Sequence, residues 1–185
     1  MNLTRRQSIW YIADHVRSIL KLSTPPFNPE ELINRLGGNI KYLSLEDAEK
    51  EGYNANFEAA LQTSSTSNDD PDSVEFTVIV ADWKNKQRIR FSIAHEIGHL
   101  VLHLLVPGGK IKPSQITYRN LQSSEEELEA NEFAAAFLMP TDLFKESCQH
   151  NAVSHNGKIN IEEIAKVFDV SSSAATVRGS ILSLW

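Results

Sequence analysis

Residues 90–99 read Arg-Phe-Ser-Ile-Ala-His-Glu-Ile-Gly-His and place two histidines, His95 and His99, four positions apart. On a helix, positions i and i+4 lie on the same face, one turn apart. Two imidazoles in that arrangement can bind one metal ion, and Glu96 follows the first of them directly. This HExxH pattern is typical of zinc-dependent peptidases, in which the glutamate acts as the base. It predicts a helix that carries part of an active site.

A catalytic zinc usually has three protein ligands, so the two histidines need a partner from elsewhere in the chain. Metzincins place a glycine three residues and a third histidine six residues after the second histidine. Here those positions hold Leu102 and Leu105, which excludes that class. A glutamate from a later helix is the alternative, and residues 125–132 contain five of them.

Helical phase reduces the number of these five glutamates that are candidate metal ligands. At about 100° per residue, the apolar side chains of residues 125–138 define one buried face. Glu126 and Glu127 fall near its two borders, so phase alone leaves both open as ligands. The others lie outside the edge of that face or point away from it. We therefore predict solvated side chains for Glu125, Glu129 and Glu132.

The length, charge and cysteine content limit the classes of protein to which the chain can belong. The chain has 185 residues, enough for one domain or one domain with a small appendage. Its net charge of -6 argues against a broad basic surface for nucleic acid or anionic membrane. Cys148 is the one cysteine, which excludes an internal disulfide and fits a reducing compartment. No signal peptide or membrane span is predicted, so a cytoplasmic protein is expected.

Hydrophobic periodicity and turn residues predict an α+β fold. Its features are a small antiparallel or mixed sheet, packed against the HExxH helix and a glutamate-bearing helix, and a helical C-terminal tail. A polar loop is predicted over residues 62–73. Strands are predicted over residues 40–45, 57–61 and 74–81. Helices are predicted over residues 4–22, 29–36, 88–105, 123–139, 160–168 and 171–184, with Thr4, Asn28 and Asn160 as N-caps of three of them.

Two blocks of the chain resemble the ImmA/IrrE family of metallopeptidases, over roughly residues 28–145. The first block is residues 90–99. The second, residues 127–140, reads Glu-Leu-Glu-Ala-Asn-Glu-Phe-Ala-Ala-Ala-Phe-Leu-Met-Pro. It resembles the family pattern Glu-x-x-Ala-Asn/Asp-x-Phe-Ala, whose leading glutamate is the third ligand. The resemblance implies that Glu127 completes a gluzincin-like site with His95 and His99.

This site implies hydrolysis of a peptide bond with Glu96 as general base. The expected metal is Zn²⁺, with Mn²⁺ as an alternative, because two histidines and one carboxylate discriminate weakly between them. The resemblance further implies a protein substrate of the helix-turn-helix repressor class. From the order of motifs and elements, we also predict a metallopeptidase-like domain over residues 1–145, followed by a helical, helix-turn-helix-like extension over residues 146–185.

Other residues near the motif have predicted supporting roles. Asn131, one turn after Glu127, is placed to hydrogen-bond a ligand histidine. Gly98 is expected to allow another element to approach closely. His103 continues the i+4 series and is expected to pack or to lie on the substrate side. The candidate oxyanion stabilisers are Tyr53, Tyr118 and His103.

The tail, residues 158–185, looks like a helix-turn-helix pair. Its three cations are balanced by three acidic residues, and the second helix of the pair carries only Arg178. Contact with phosphates needs several cations, so a structural or partner-docking element is favoured over direct DNA binding. Two rival functions follow. They are a non-proteolytic, metal-stabilised regulator or toxin that binds a partner, and a DNA-binding regulator that uses the tail.

Overall fold

The computed structural model describes residues 1–65, 74–106, 110–111, 124–150 and 159–185. Within these ranges the architecture is α+β, as predicted. The strands are β1 (Asn39–Leu43), β2 (Ala59–Ser65), β3 (Val74–Ala81), β4 (Leu105–Val106) and β5 (Lys110–Ile111). The helices are α1 (Leu3–Ile19), α2 (Pro29–Arg35), α3 (Leu45–Lys50), α4 (Lys86–His99), α5 (Ser124–Leu138), α6 (Thr141–His150), α7 (Ile161–Phe168) and α8 (Ser172–Ile181).

The main sheet has three described strands in the order β1-β3-β2 and is mixed. The central strand β3 pairs parallel with β1 and antiparallel with β2. Its side chains alternate between two faces, as a strand requires. Phe76, Val78 and Val80 enter the main hydrophobic core, whereas Ile79 and Ala81 enter a smaller cluster on the other face. Helix α4 packs against β2 and β3, so the sheet supports the HExxH helix.

Helix α1 lies across α5, but its cap and its buried stripe differ from the prediction. The N-cap is Asn2, whose side chain accepts a hydrogen bond from the Arg5 amide, and Thr4 already lies within the helix. In the sequence, Ile9, Ile12, Val16 and Ile19 form an apolar stripe that predicts the buried face, but Ile19 is 63% exposed. The buried face contains Arg17, whose guanidinium donates to backbone carbonyls at the end of α5. Because the buried face contains a charged residue, the pattern of apolar residues in the sequence does not identify it.

Several predicted element ends are confirmed. The Asn28 side chain caps α2, and Gly37, with φ 76°, follows the end of that helix. The Asn160 side chain caps α7 by accepting from two amides. Helices α3 and α6 were not predicted. Strand β2 continues to Ser65, four residues into the predicted loop, and the rest of that loop lies outside the described residues.

The helix predicted over residues 88–105 changes its winding after His99. Residues Leu100–Leu104 form a π-helical turn, and the amide of Leu105 donates to the carbonyl of Leu100, five residues back. Such wide turns occur mostly as short insertions in helices, frequently at functional sites. The chain then enters β4, which pairs antiparallel with β5.

The C-terminal tail shares the main hydrophobic core. Ile164 and Phe168 from α7 and Ala175 from α8 are buried in the same cluster as Phe133 and Phe137 from α5. The predicted division of the chain after residue 145 stays a prediction, although one core runs across it. Among the described helices, none combines the length and apolar character needed to cross a membrane.

Candidate active site

Helix α4 presents both histidines of the motif on one face. The Asn85 side chain starts the helix by accepting from the amide of Arg88 at 2.8 Å. Two turns further on, the Nε2 atoms of His95 and His99 lie 3.0 Å apart. His99 is fully buried, and 16% of the His95 side chain is exposed. The helical spacing therefore brings both nitrogens to one point, at which the side chain of His95 is the more exposed of the two.

Helix α5 brings a carboxylate to the same point. The Glu127 oxygens lie 3.3 Å from Nε2 of His95 and 3.4 Å from Nε2 of His99. Among the described residues, this trio is the group that could hold a metal ion. Of the two glutamates that helical phase left open, the structure thus places Glu127, and not Glu126, beside the histidines.

Gly98 explains how α5 comes so near. A Cβ atom at this position would lie 3.0 Å from the Cα atom and 3.1 Å from the carbonyl oxygen of Ala130. The backbones of α4 and α5 are therefore nearly in contact, as the sequence predicted. Because the helices lie so close together, the Glu127 side chain on α5 is long enough to reach the two histidines on α4.

The three side chains fit a metal ion in spacing and in charge. Ligands about 2.0–2.1 Å from a tetrahedral ion lie about 3.3 Å from one another, close to the three distances observed here. Burial lowers the pKa of His95. Burial, together with the nearby His95 and His103, lowers the pKa of His99 to about 3. Both imidazoles are consequently neutral at physiological pH, which is the form that binds a metal.

Asn131 orients the first histidine. Its Oδ1 atom lies 3.0 Å from Nδ1 of His95. An amide oxygen only accepts, so Nδ1 carries the proton and Nε2 keeps its lone pair for a metal. This geometry agrees with the role expected for Asn131 from the sequence.

His103 and Glu129 meet on the far side of His99, away from the cleft. Nδ1 of His103 lies 3.3 Å from Nδ1 of His99, and Nε2 of His103 lies 3.1 Å from a Glu129 oxygen. Hydrogen bonds from Arg5 are the main cause that lowers the pKa of Glu129 to about 2. His103 is therefore part of a buried polar network behind the histidine pair.

The prediction that Glu129 and Glu132 are solvated is wrong. They are only 7% and 4% exposed, because α1 packs against the side of α5 that carries them. Glu132 accepts hydrogen bonds from Trp10, Arg6 and Arg178. Charged side chains on α1 and α8 thus partner a face of α5 that the sequence pattern assigned to solvent.

A cleft of about 390 Å³ opens at His95 and Glu127. Glu96 lines it and is 8% exposed. Of the oxyanion candidates, Tyr53 stacks on Phe57 outside this lining, with ring centroids 4.2 Å apart, and Tyr118 lies outside the described residues. The other lining residues are Asn56, Glu58, Ala59, Ala60, Leu61, Arg88, Phe91, Ser92, His95, Glu127 and Asn131.

A second cavity of about 540 Å³ adjoins the cleft. Arg88, Phe91 and Asn131 line both spaces, so the two are neighbours across a shared wall. Helix α8 forms the opposite wall with apolar side chains that include Ala174 and Val177. The tail therefore shapes the surroundings of the candidate site.

An HExxH helix facing a glutamate-bearing helix defines the class of metal-dependent peptidases. The family described as the IrrE N-terminal-like domain, peptidase M78, matches residues 36–180. The chain belongs to this family, which confirms the resemblance drawn from the two sequence blocks. It is accordingly a metallopeptidase, and its family implies a metal cofactor. No curated protein matches the chain.

Proposed function

We propose that the protein is a Zn²⁺-dependent endopeptidase with His95, His99 and Glu127 as metal ligands and Glu96 as general base. The observation that carries this proposal is the convergence of two imidazole nitrogens and one carboxylate, 3.0–3.4 Å apart, at the edge of an open cleft. Mn²⁺ is the alternative metal, since this donor set discriminates weakly.

The mechanism assigns the proton transfers to Glu96. When bound, the metal supplies Lewis acidity that polarises a carbonyl and lowers the pKa of water to about 7. Glu96 takes a proton from the attacking water as its oxygen bonds to the carbonyl carbon. As the C–N bond breaks, Glu96 returns that proton to the leaving amine. The position of Glu96 supports this role, because it lines the cleft beside His95 and Glu127.

The cleft is suited to an extended segment of a protein substrate. Ala59, Ala60 and Leu61 of β2 line it, and β2 lies at one end of the described strand order. An outer strand offers backbone groups to which an extended peptide can add as a further strand. We therefore place the substrate main chain along β2, with the scissile bond over the histidine pair.

The proposed substrate is a transcriptional repressor of the helix-turn-helix class, on the basis of the family resemblance. Direct DNA binding by the tail is not part of the proposal. Arg178, the one cation on α8, is fully buried and donates to Glu132, Thr141 and the Met139 carbonyl. A cation bound in this way is not available to phosphates.

The test is incubation of the purified protein with a helix-turn-helix repressor encoded nearby. We expect a cut that requires added Zn²⁺ or Mn²⁺ and is prevented by a chelator. Glu96→Gln should retain the metal and lose about 10²–10⁴-fold in cleavage rate, because general base catalysis contributes on that order. Mass spectrometry of the products and elemental analysis of the protein provide the two readouts.

Glu49→Gln is the matched control, since Glu49 is an exposed glutamate on α3, away from the cleft. It should cut at the wild-type rate. Full activity in Glu96→Gln would refute the assigned mechanism. Repressor left intact by the wild-type protein under all metal conditions would refute the proposed substrate class.

A further inference from the structure

The second ring nitrogen of His99 faces away from the cleft and towards another histidine. While Nε2 of His99 lies at the candidate metal site, Nδ1 lies 3.3 Å from Nδ1 of His103. His103 occupies the π-helical turn that follows α4. A nitrogen-to-nitrogen contact between neutral imidazoles requires one donor and one acceptor.

The contact continues through two more side chains. Nε2 of His103 lies 3.1 Å from a Glu129 oxygen. Arg5 then donates to both oxygens of that carboxylate, from Nε at 2.6 Å and from a terminal nitrogen at 2.5 Å. Four side chains thus form one chain of hydrogen bonds that joins α4, the π-helical turn, α5 and α1.

The direction of hydrogen-bond donation in this series follows from the Glu129–Arg5 pair at its end. A carboxylate held by a guanidinium is ionised and only accepts, so the facing Nε2 of His103 carries the proton. With its ring proton on Nε2, His103 accepts at Nδ1, and Nδ1 of His99 is the donor. This leaves the lone pair of His99 on Nε2, towards Glu127. The opposite direction would place two acceptors, His103 Nε2 and Glu129, against each other.

We propose that His103, Glu129 and Arg5 are positioning residues that hold the proton of His99 on Nδ1 and so prepare Nε2 for the metal. Their part resembles that of the carboxylates and carbonyls that orient ligand histidines in metal sites, here with a histidine interposed. Asn131 plays the corresponding part for His95, since its Oδ1 lies 3.0 Å from Nδ1 of that ring. Arg5 precedes the family match of residues 36–180, so α1 adds an anchor from outside the matched segment.

This inference rests on the proposed metal site, and its test has one readout that needs no metal. In the metal-free protein, ¹⁵N NMR of the imidazoles should show His99 protonated on Nδ1. In His103→Phe, which keeps a ring but removes both nitrogens, the two tautomers of His99 should mix. Zn²⁺ affinity, measured by competition with a chromogenic chelator, should fall about 10–100-fold.

Two further variants separate positioning from folding. His103→Gln carries both an acceptor and a donor in its amide, and should retain more of the affinity than His103→Phe. Glu129→Gln keeps the side-chain shape and loses the charge. It therefore tests the series of hydrogen bonds even if His103→Phe fails to fold. His15→Phe on α1 and Glu49→Gln on α3, both at exposed positions, are the matched controls and should bind as wild type does.

The outcomes distinguish this inference from the proposed function. Wild-type affinity and an unchanged His99 tautomer in both His103→Phe and Glu129→Gln would overturn the positioning role. A wild-type protein that binds neither Zn²⁺ nor Mn²⁺ would instead refute the metal site. In that case the NMR readout alone would still decide whether His103 and Glu129 hold the proton of His99.

Discussion

Glu126 and Glu127 are neighbours with the same charge and the same reach, yet they have different surroundings. Successive residues on a helix point about 100° apart. Here that rotation directs Glu127 to the histidine pair, with oxygens 3.3 Å and 3.4 Å from the two Nε2 atoms. Glu126 lies outside this trio. A single position along α5 therefore separates a candidate ligand from an ordinary first-turn carboxylate.

This difference predicts the metal content of two matched variants. Glu127→Gln should lose most of the bound metal, because an amide is a poorer ligand than a carboxylate and the remaining two histidines hold the ion weakly. Glu126→Gln removes the same charge from the same helix turn and should keep the metal. Elemental analysis after dialysis measures both. Equal retention in the two variants would contradict the assignment of Glu127.

At the residue scale, the sequence predicted the placement of the residues on the cleft side better than the surroundings of those behind it. His95, Glu96 and His99 follow from a motif with fixed spacing, and the resemblance selected Glu127. The burial of Glu129 and Glu132 was missed because it depends on α1, which lies more than 120 residues away in sequence. Helical phase is a property of one helix and gives no information about the elements that pack against it.

At the scale of elements, the spacing between α4 and α5 is the quantity on which the site depends. Gly98 sets this spacing, since any side chain there meets the backbone of Ala130. Gly98→Ala should gain about 1 kcal/mol in helix propensity. It should lose about 1–3 kcal/mol from overpacking against a backbone that has little room to move. The folded state should therefore be equally or less stable.

The sharper effect of Gly98→Ala should be on metal binding, because separation of the helices withdraws Glu127 from the histidines. We expect a weaker Zn²⁺ affinity, and a larger loss in Gly98→Val than in Gly98→Ala. Chelator competition gives the affinity and urea unfolding gives the stability. If affinity were independent of side-chain size at this position, the close approach would not control the site.

Side-chain caps revealed two helices, whereas α3 was missed although Ser44 caps it by accepting from the Asp47 amide. Side-chain caps at Asn28 and Asn160 mark α2 and α7 in the sequence, and both helices start where expected. Helix α3, of six residues, shows too few apolar positions for a helical period. The π-helical turn after His99 also escaped prediction. Its hydrogen bonds join residues five positions apart, one more than in an α-helix, and no residue type in the sequence signals this change of winding.

At the scale of the whole molecule, one buried carboxylate ties together helices from both ends of the chain. Glu132 on α5 accepts from Trp10 and Arg6 of α1 and from Arg178 of α8. Arg178 has no exposed surface, and burial lowers its pKa to about 10. A cation in this environment depends on its partner, because an unpaired buried charge is costly.

Removal of that partner predicts a large loss of stability. Glu132→Ala should lower the free energy of unfolding by about 3–5 kcal/mol, the usual cost of breaking a buried ion pair from one side. Glu132→Ala combined with Arg178→Met should recover part of this loss, because the stranded charge is gone. Urea unfolding of the metal-free variants measures both values.

Glu31→Ala is the control for this comparison. Glu31 pairs with Arg35 one turn away on the exposed surface of α2, and such a pair contributes about 0.3–0.5 kcal/mol. A cost for Glu132→Ala as small as that for Glu31→Ala would show that the buried network is not needed for stability.

The cavity behind the shared wall of Arg88, Phe91 and Asn131 offers a small molecule a place to bind that does not include the candidate metal ligands. A compound that fills it contacts α8 only in the folded protein, so its binding and the folding of the tail are linked equilibria. At one hundred times its Kd, such a compound would add about 2.7 kcal/mol of stability. Such a compound would also reach Asn131, whose Oδ1 lies 3.0 Å from Nδ1 of His95, without entering the cleft itself.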